Sequence, residues 1–328
     1  MKFKLIPLKK RIKFLYKGIL GLIGGFLISY LITSAGGYKY SENKAAFRLS
    51  IPQEIVDYDL QCALNYLKYQ LNQNGIEVIG TSYYENLYPA DLNTAGINFF
   101  IRGFHPFYDV RAAKNAIHIN YVHRAVISYI SEFQNYDLNL TSQKKFKDNL
   151  ASQKVKAQLF PVGYVKHEAL LPNYAYDVLY IYEYNNSVFR SFIDNYKKSK
   201  SYGGAEFARL STAEQKAELR KAKVVVYEMG PVGDDDADYV PYAVYDIISY
   251  GRPLITNRKQ NLTDYFKNEV DLFTTMEEML IKTHNCLNLD DAVRENKAKI
   301  ARDKLFKISN KGFDFVGNMQ KIRHKKHN

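Results

Sequence analysis

Asp246 stands alone among apolar residues in "VPYAVYDIISYGRPLITN", residues 240–257. A helix carrying one acid, ending at a glycine and feeding a strand, places that acid beside a ligand cleft in open α/β sheets. Its two oxygens accept hydrogen bonds from two vicinal hydroxyls, more strongly than a neutral acceptor does. Gly251 closes the helix, and Arg252 after it carries a guanidinium fork that matches phosphate oxygens without Mg²⁺. Thr256 and Asn257 end the strand and face the same cleft by the rule that ligands gather at carboxyl ends of strands. His123 in "INYVHR" and His105 in "RGFHPF" follow other strand ends, where a tuned imidazole could serve as a general base. Each also has an ordinary reading: a helix-dipole acid, a surface arginine, a satisfied structural histidine. "GDDDAD", residues 233–238, spaces its acids as Asp-x-Asp metal sites do. It reads as a solvated acidic loop, and no metal is expected.

The elements that must carry these residues follow from periodicity. "KAAFRLSI" (44–51) reads as a strand, and the apolar residues Val56, Leu60, Ala63, Leu64, Leu67 and Leu71 then recur at helical steps up to Asn74-Gly75. "IEVIG" (76–80) completes a βαβ unit, which requires a parallel sheet and a right-handed crossover. Residues 97–103, 116–122, 136–142 and 157–163 are further short strand-like runs. A second series holds strands at 176–184, in "KVVVYEM", at 253–257 and at 270–275. Its helices lie at 188–196, behind the capping box Ser211/Glu214, at 276–287 and at 290–306. The chain is thus α/β, with two Rossmann-like domains at 44–168 and 169–318 and a cleft between them.

Charge and hydropathy bound the partners. The 328 residues carry a net charge of +12, and nearly all of it lies in seven Lys/Arg of residues 1–17 and four of residues 321–328. The body between is close to neutral. A basic end beside an apolar run suits anionic lipid better than DNA, so a membrane partner and no nucleic acid are expected. Residues 18–38 hold no charge, and about 20 apolar residues cross a bilayer core, so 1–40 reads as a basic N-terminus with a hydrophobic anchor helix. Lys9, Lys10, Arg11, Lys13 and Lys17 would keep the N-terminus cytoplasmic and send the body across. The expectation is nonetheless a monotopic or reversed anchor with the body in the cytoplasm. Residues 319–328 read as a basic tail. Asn139, Asn185 and Asn261 open glycosylation triplets of a kind that arises easily in an Asn-rich chain. Two cysteines exclude a disulfide scaffold and a cysteine zinc site. No Walker loop, GxSxG, HExxH, GxGxxG or CxxC motif is present.

"YDIISYGRPLITN" followed by "VDLFTTMEEML" resembles the C-terminal signature of two-domain GT-B-type glycosyltransferases, above all the spore-protein-like group. That pattern runs aromatic-acid-Ala-Leu-Ala-x-Gly-x-Pro, and Tyr245, Asp246, Gly251 and Pro253 occupy its fixed points. "DYDLQCALNYLKYQLNQNGIEV", "FFIRGFHPF" and "EFQNYDLNLTSQKKFKDNL" are similar to the group's N-terminal half. The resemblance implies that Asp246 holds the ribose of a UDP- or GDP-sugar, that Arg190 in "NNSVFR" meets its diphosphate, and that no further cofactor is required. It implies transfer of a sugar to a glycan, lipid-linked or cell-surface acceptor at a membrane. The chain departs from the pattern where Tyr242 and Ala243 replace an arginine and where Tyr182 replaces a glycine. These departures suit a second expectation, a non-catalytic sugar-binding or scaffold protein of the same fold. A metal-dependent Asp-x-Asp transferase is the third.

Overall fold

The computed structural model describes residues 43–83, 92, 94–102, 116–123, 130–183, 187–194, 196, 198–230, 239–308 and 312–327. The chain divides into two compact units, 1–40 and 41–328, and all the described residues lie in the second. The expected anchor at 18–38, His105 and the acidic run 233–238 lie outside them. No helix among the described residues is long and apolar enough to cross a membrane.

Sheet one is parallel and built from β1 (Lys44–Leu49), β2 (Glu77–Ser82), β3 (Ile97–Arg102), β4 (Ile117–Val122), β5 (Leu138–Thr141) and β6 (Gln158–Leu159), in the order β2-β1-β3-β4-β5-β6. Runs such as "INFFIR" and "IHINYV" are rich in β-branched and aromatic residues, and β4 is buried along its whole length, as a strand covered on both faces must be. Between β1 and β2 runs α1 (Tyr58–Gln73), capped by the Asp57 carboxylate, which accepts from the Leu60 amide at 2.8 Å. Its buried stripe of Leu60, Ala63, Leu67 and Leu71 is the one the periodicity predicts. Gly75, at φ +71°, ends it in the left-handed conformation. α2 (Lys144–Ser152) joins β5 to β6.

Sheet two is also parallel: β7 (Tyr176–Tyr182), β8 (Ser199–Gly203), β9 (Ala222–Glu228), β10 (Leu254–Asn257) and β11 (Asp271–Phe273), in the order β11-β10-β9-β7-β8. α3 (Ser187–Asp194), α4 (Gly204–Arg209) and α5 (Thr212–Lys221) lie between β7 and β9. The predicted capping box at Ser211 and Glu214 is formed. α6 (Tyr242–Ser249) leads into β10, and α7 (Gln260–Tyr265), α8 (Met276–Leu287) and α9 (Asp291–Leu305) complete this half. α10 (Phe315–His327) returns to sheet one, where Phe315 packs on Phe99 with ring centroids 5.7 Å apart. The short strand β8 and the helix α4 have no counterpart in the periodicity, because "SKSYGGAEFAR" is too short and too polar to show either period.

The two halves meet directly. α1 lies along α6, with Tyr66 5.7 Å from Tyr242 and Tyr58 edge-on to Phe207 of α4 at 4.8 Å. Gln61 donates to the Ala208 carbonyl at 2.9 Å and accepts from Gln215 at 2.8 Å. Beside this contact an open groove of about 520 Å³ is walled by β1, β2 and α1 on one side and by Ala208 and Arg209 on the other.

Candidate functional site

The first turn of α1 faces the first two turns of α6, and four acids and phenols meet there. Asp246 sits between the halves with its side chain 17% exposed. Tyr58 donates its phenol to Oδ2 at 2.7 Å, and His167 Nε2 meets Oδ1 at 2.7 Å. The imidazole of His167 stacks flat on Tyr250, centroids 4.0 Å apart and planes 6° apart. Burial first, and then the Asp246 charge, hold the Tyr58 phenol well above the ordinary tyrosine range, so it stays a donor. Each Asp246 oxygen therefore has one protein partner and keeps lone-pair capacity for a second hydroxyl.

One turn nearer the carboxyl edge of the sheets, Asp59 is fully buried. Its Oδ1 accepts the Ala243 amide of α6 at 3.1 Å, and its Oδ2 accepts the Tyr239 phenol. His123 Nε2 lies 3.1 Å from the same Oδ2. A carboxylate at a helix N-terminus, with a phenol and an imidazole on it, is stabilised by donors from three directions. His123 follows β4 at its carboxyl end, as expected, but it is 5% exposed and lies over Tyr242, centroids 6.0 Å apart. Its Nδ1 has no hydrogen-bond partner among the described residues. Tyr121 and Tyr242 share a hydrogen bond of 2.8 Å across the halves. Burial drives both phenols upward in pKa.

At the carboxyl edge of sheet two, Arg190 on α3 is exposed and donates to the Tyr182 phenol at 2.9 Å. Glu183 accepts from the Tyr227 phenol, and Glu228 accepts from Tyr180. Burial raises the Glu228 carboxyl above its usual range, against the lowering by the Tyr180 hydrogen bond. Asn257 ends β10 here and accepts the Met229 amide through Oδ1 at 2.6 Å. Thr256 is buried within β10.

Gly251 and Arg252 fall elsewhere, and the phosphate role expected of Arg252 is corrected. Both precede β10, so they lie at the amino edge of sheet two, away from the carboxyl ends where ligands bind. Arg252 is 1% exposed, donates to the Ala222 carbonyl at 2.8 Å and pairs with Glu295 at 3.2 Å. A buried guanidinium tied to α9 has no face for a diphosphate. Gly251, at φ +72°, is the left-handed residue that ends α6, and a Cβ there would meet Arg302 Cδ at 3.3 Å. Asn139, the first residue of one of the Asn-rich chain's triplets, is buried in β5, with its amide donated to the Phe133 carbonyl at 3.0 Å.

Sequence reasoning missed Tyr58, Asp59, His167 and Tyr239. Asp57 and Asp59 were legible as capping and first-turn acids, which gave no sign that Asp59 turns inward. His167 sits in a stretch without periodicity, and only the packing brings it to Asp246. Among the described residues, no group of three His, Cys, Asp or Glu side chains is arranged to hold a metal ion.

No family model and no curated protein sequence matches the chain. Among solved structures it is similar to an alpha-glucosyltransferase in complex with UDP and a 13-mer DNA containing an HMU base, with a TM-score of 0.57 and 10% identity, over 85% of this chain and 99% of that one. It is similar to an alpha-glucosyltransferase in complex with UDP-glucose and DNA containing an abasic site, with a TM-score of 0.55 and 10% identity over the same shares. These likenesses bear out the GT-B glycosyltransferase fold. They also overturn the exclusion of nucleic acid drawn from the placement of charge: complexes of this fold hold DNA, so a near-neutral body is no ground for excluding it.

Proposed function

We propose that the chain is a glycosyltransferase that moves a sugar from a UDP- or GDP-sugar to a hydroxyl acceptor on a glycan, lipid-linked or cell-surface molecule, at a membrane to which residues 1–40 anchor it. The body would lie in the cytoplasm, where the donor is made. The observation that carries this reading is Asp246, a carboxylate held between two parallel sheets by Tyr58 and His167 with acceptor capacity to spare. In the proposed arrangement its oxygens take the ribose hydroxyls, and Arg190 and Asn257 line the edge where the diphosphate would rest. The acceptor oxygen bonds to the anomeric carbon as the bond to the diphosphate breaks, and the acceptor proton passes to a base, for which His123 is the described candidate. The open groove beside α1 would receive the acceptor.

The alpha-glucosyltransferase complexes with DNA support a second reading, in which the acceptor hydroxyl belongs to a nucleic acid. Calorimetric titration with UDP, GDP and their sugars tests the donor site directly. Binding weakened about tenfold or more by Asp246→Ala is expected, the effect of losing a charge-assisted acceptor. Wild-type protein that takes up no nucleotide or nucleotide-sugar would leave only a non-catalytic member of the fold. Activity that survives EDTA would count against the metal-dependent alternative.

A further inference from the structure

A pocket of about 470 Å³ opens at the amino ends of β5 and β6, between the loop before β5, the segment after α2 and the last turns of α10. This is the edge of sheet one opposite His123, so it is no part of the proposed transfer site and its reading does not depend on that proposal. Lys154, Lys156 and Lys325 line it, and none of the three has an ion-pair partner among the described residues. Its single lining carboxylate, Asp137, is already taken by Lys326 of α10 at 2.8 Å and by the His118 amide at 2.8 Å. All three are exposed, and lysines that share one concavity with no carboxylate left to pair with them favour an anion there.

Lys154 adds a second, independent observation. It stands at φ +62°, the one non-glycine residue with positive φ among the described residues. It ends α2 where glycine is ordinarily found: its amide bonds the Ala151 carbonyl at 3.0 Å, and the next amide, of Val155, reaches back to Leu150 at 2.9 Å. A lysine there gains the backbone nothing and carries a Cβ penalty that glycine avoids. What it contributes is a cationic side chain on a residue that lines the pocket.

We infer that this pocket binds a phosphate ester. Three ammonium donors match the three free oxygens and the near-double charge of a phosphate, and the remaining volume accommodates a small polyol carried on it. A soluble phosphate monoester and the phosphomonoester headgroup of phosphatidic acid share this chemistry. Calorimetry on the full chain with sn-glycerol 3-phosphate and with dihexanoylphosphatidic acid below its micelle concentration separates the two sources. Binding of either is the expected result, and a response to the lipid alone identifies a headgroup. Lys154→Gly is expected to weaken binding about three- to tenfold, the effect of one charged hydrogen bond, while its thermal midpoint stays level or rises. The triple variant Lys154→Gln, Lys156→Gln, Lys325→Gln should lose binding altogether. Wild-type protein that binds neither probe, a triple variant within about twofold of wild type, or sulfate bound as tightly as sn-glycerol 3-phosphate would each overturn the assignment.

Discussion

Asp59 and Asp246 lie one helical turn apart on the seam between the halves, and their surroundings give them different work. Asp59 is fully buried and takes donors from Ala243, Tyr239 and His123, so it holds structure together. Removing its acceptor oxygens strands a buried amide and a buried phenol. Asp59→Ala should therefore lower unfolding stability by about 3 kcal/mol or more, read from the urea midpoint, whereas Asp59→Asn, which keeps an acceptor for the Ala243 amide, should cost less than half of that. Equal losses would mean that volume, and not hydrogen bonding, decides the site. Asp246 is partly exposed, and its partners are a phenol and an imidazole. Asp246→Asn should leave stability within about 1 kcal/mol while weakening the proposed nucleotide binding. Sequence made Asp246 conspicuous, since one charge in an apolar helix is visible without coordinates. It hid Asp59, since an acid in the first turn of a capped helix has an ordinary explanation.

Elements were legible where the chain repeats a period and illegible where it does not. α1 shows its buried stripe, its cap and its closing glycine in the primary sequence, and α8 runs over the predicted residues. The expected strand at 157–163 shrinks to Gln158–Leu159, because Pro161 cannot donate to a sheet ladder and Gly163 weakens one. Arg252 was misread although its edge was legible, since a residue between a helix and the strand it feeds lies at the amino end of that strand; what the sequence hid is its burial and its bond to Glu295. The two left-handed glycines allow a controlled comparison. Gly75 and Gly251 have φ of +71° and +72°, so a Cβ strains the backbone equally at both. At Gly75 nothing lies within 4 Å of that Cβ, while at Gly251 Arg302 Cδ lies at 3.3 Å. Arg302 is held by hydrogen bonds to Ser249 and His167 carbonyls at 2.8 and 2.7 Å. Gly75→Ala should cost about 1 kcal/mol, and Gly251→Ala about 1 kcal/mol more, as differences in denaturant midpoint. Equal costs would show that the Arg302 side chain gives way freely.

At the scale of the whole molecule, the seam between α1 and α6 would have to open for the halves to part and admit the proposed donor. Cys62 reports on it. The thiol lies on α1 at that seam, is 6% exposed, and is driven well above the ordinary cysteine range by burial, then by the Asp246 and Asp59 charges. Cys286, on α8 and far from the seam, is 4% exposed and is pushed up to about 11 by burial, with Asp271 adding to the rise. A raised thiol pKa keeps the sulfur protonated at pH 7.5, and the thiolate is the reactive form, so neither cysteine reacts in the closed molecule. Labelling then requires an opening that exposes the sulfur and returns it to its ordinary titration. Tyr58→Phe removes the phenol that bonds Asp246 across the seam without changing the ring that packs on Phe207. It is expected to speed alkylation of Cys62 about three- to tenfold and to leave Cys286 unchanged, resolved by peptide mass spectrometry over a time course. Equal acceleration at both cysteines would mean that labelling proceeds through global unfolding, and no acceleration at Cys62 would mean that the Tyr58 hydrogen bond does not hold the halves together. Slower labelling of Cys62 with a nucleotide-sugar bound would further place the donor on the closed side of that equilibrium.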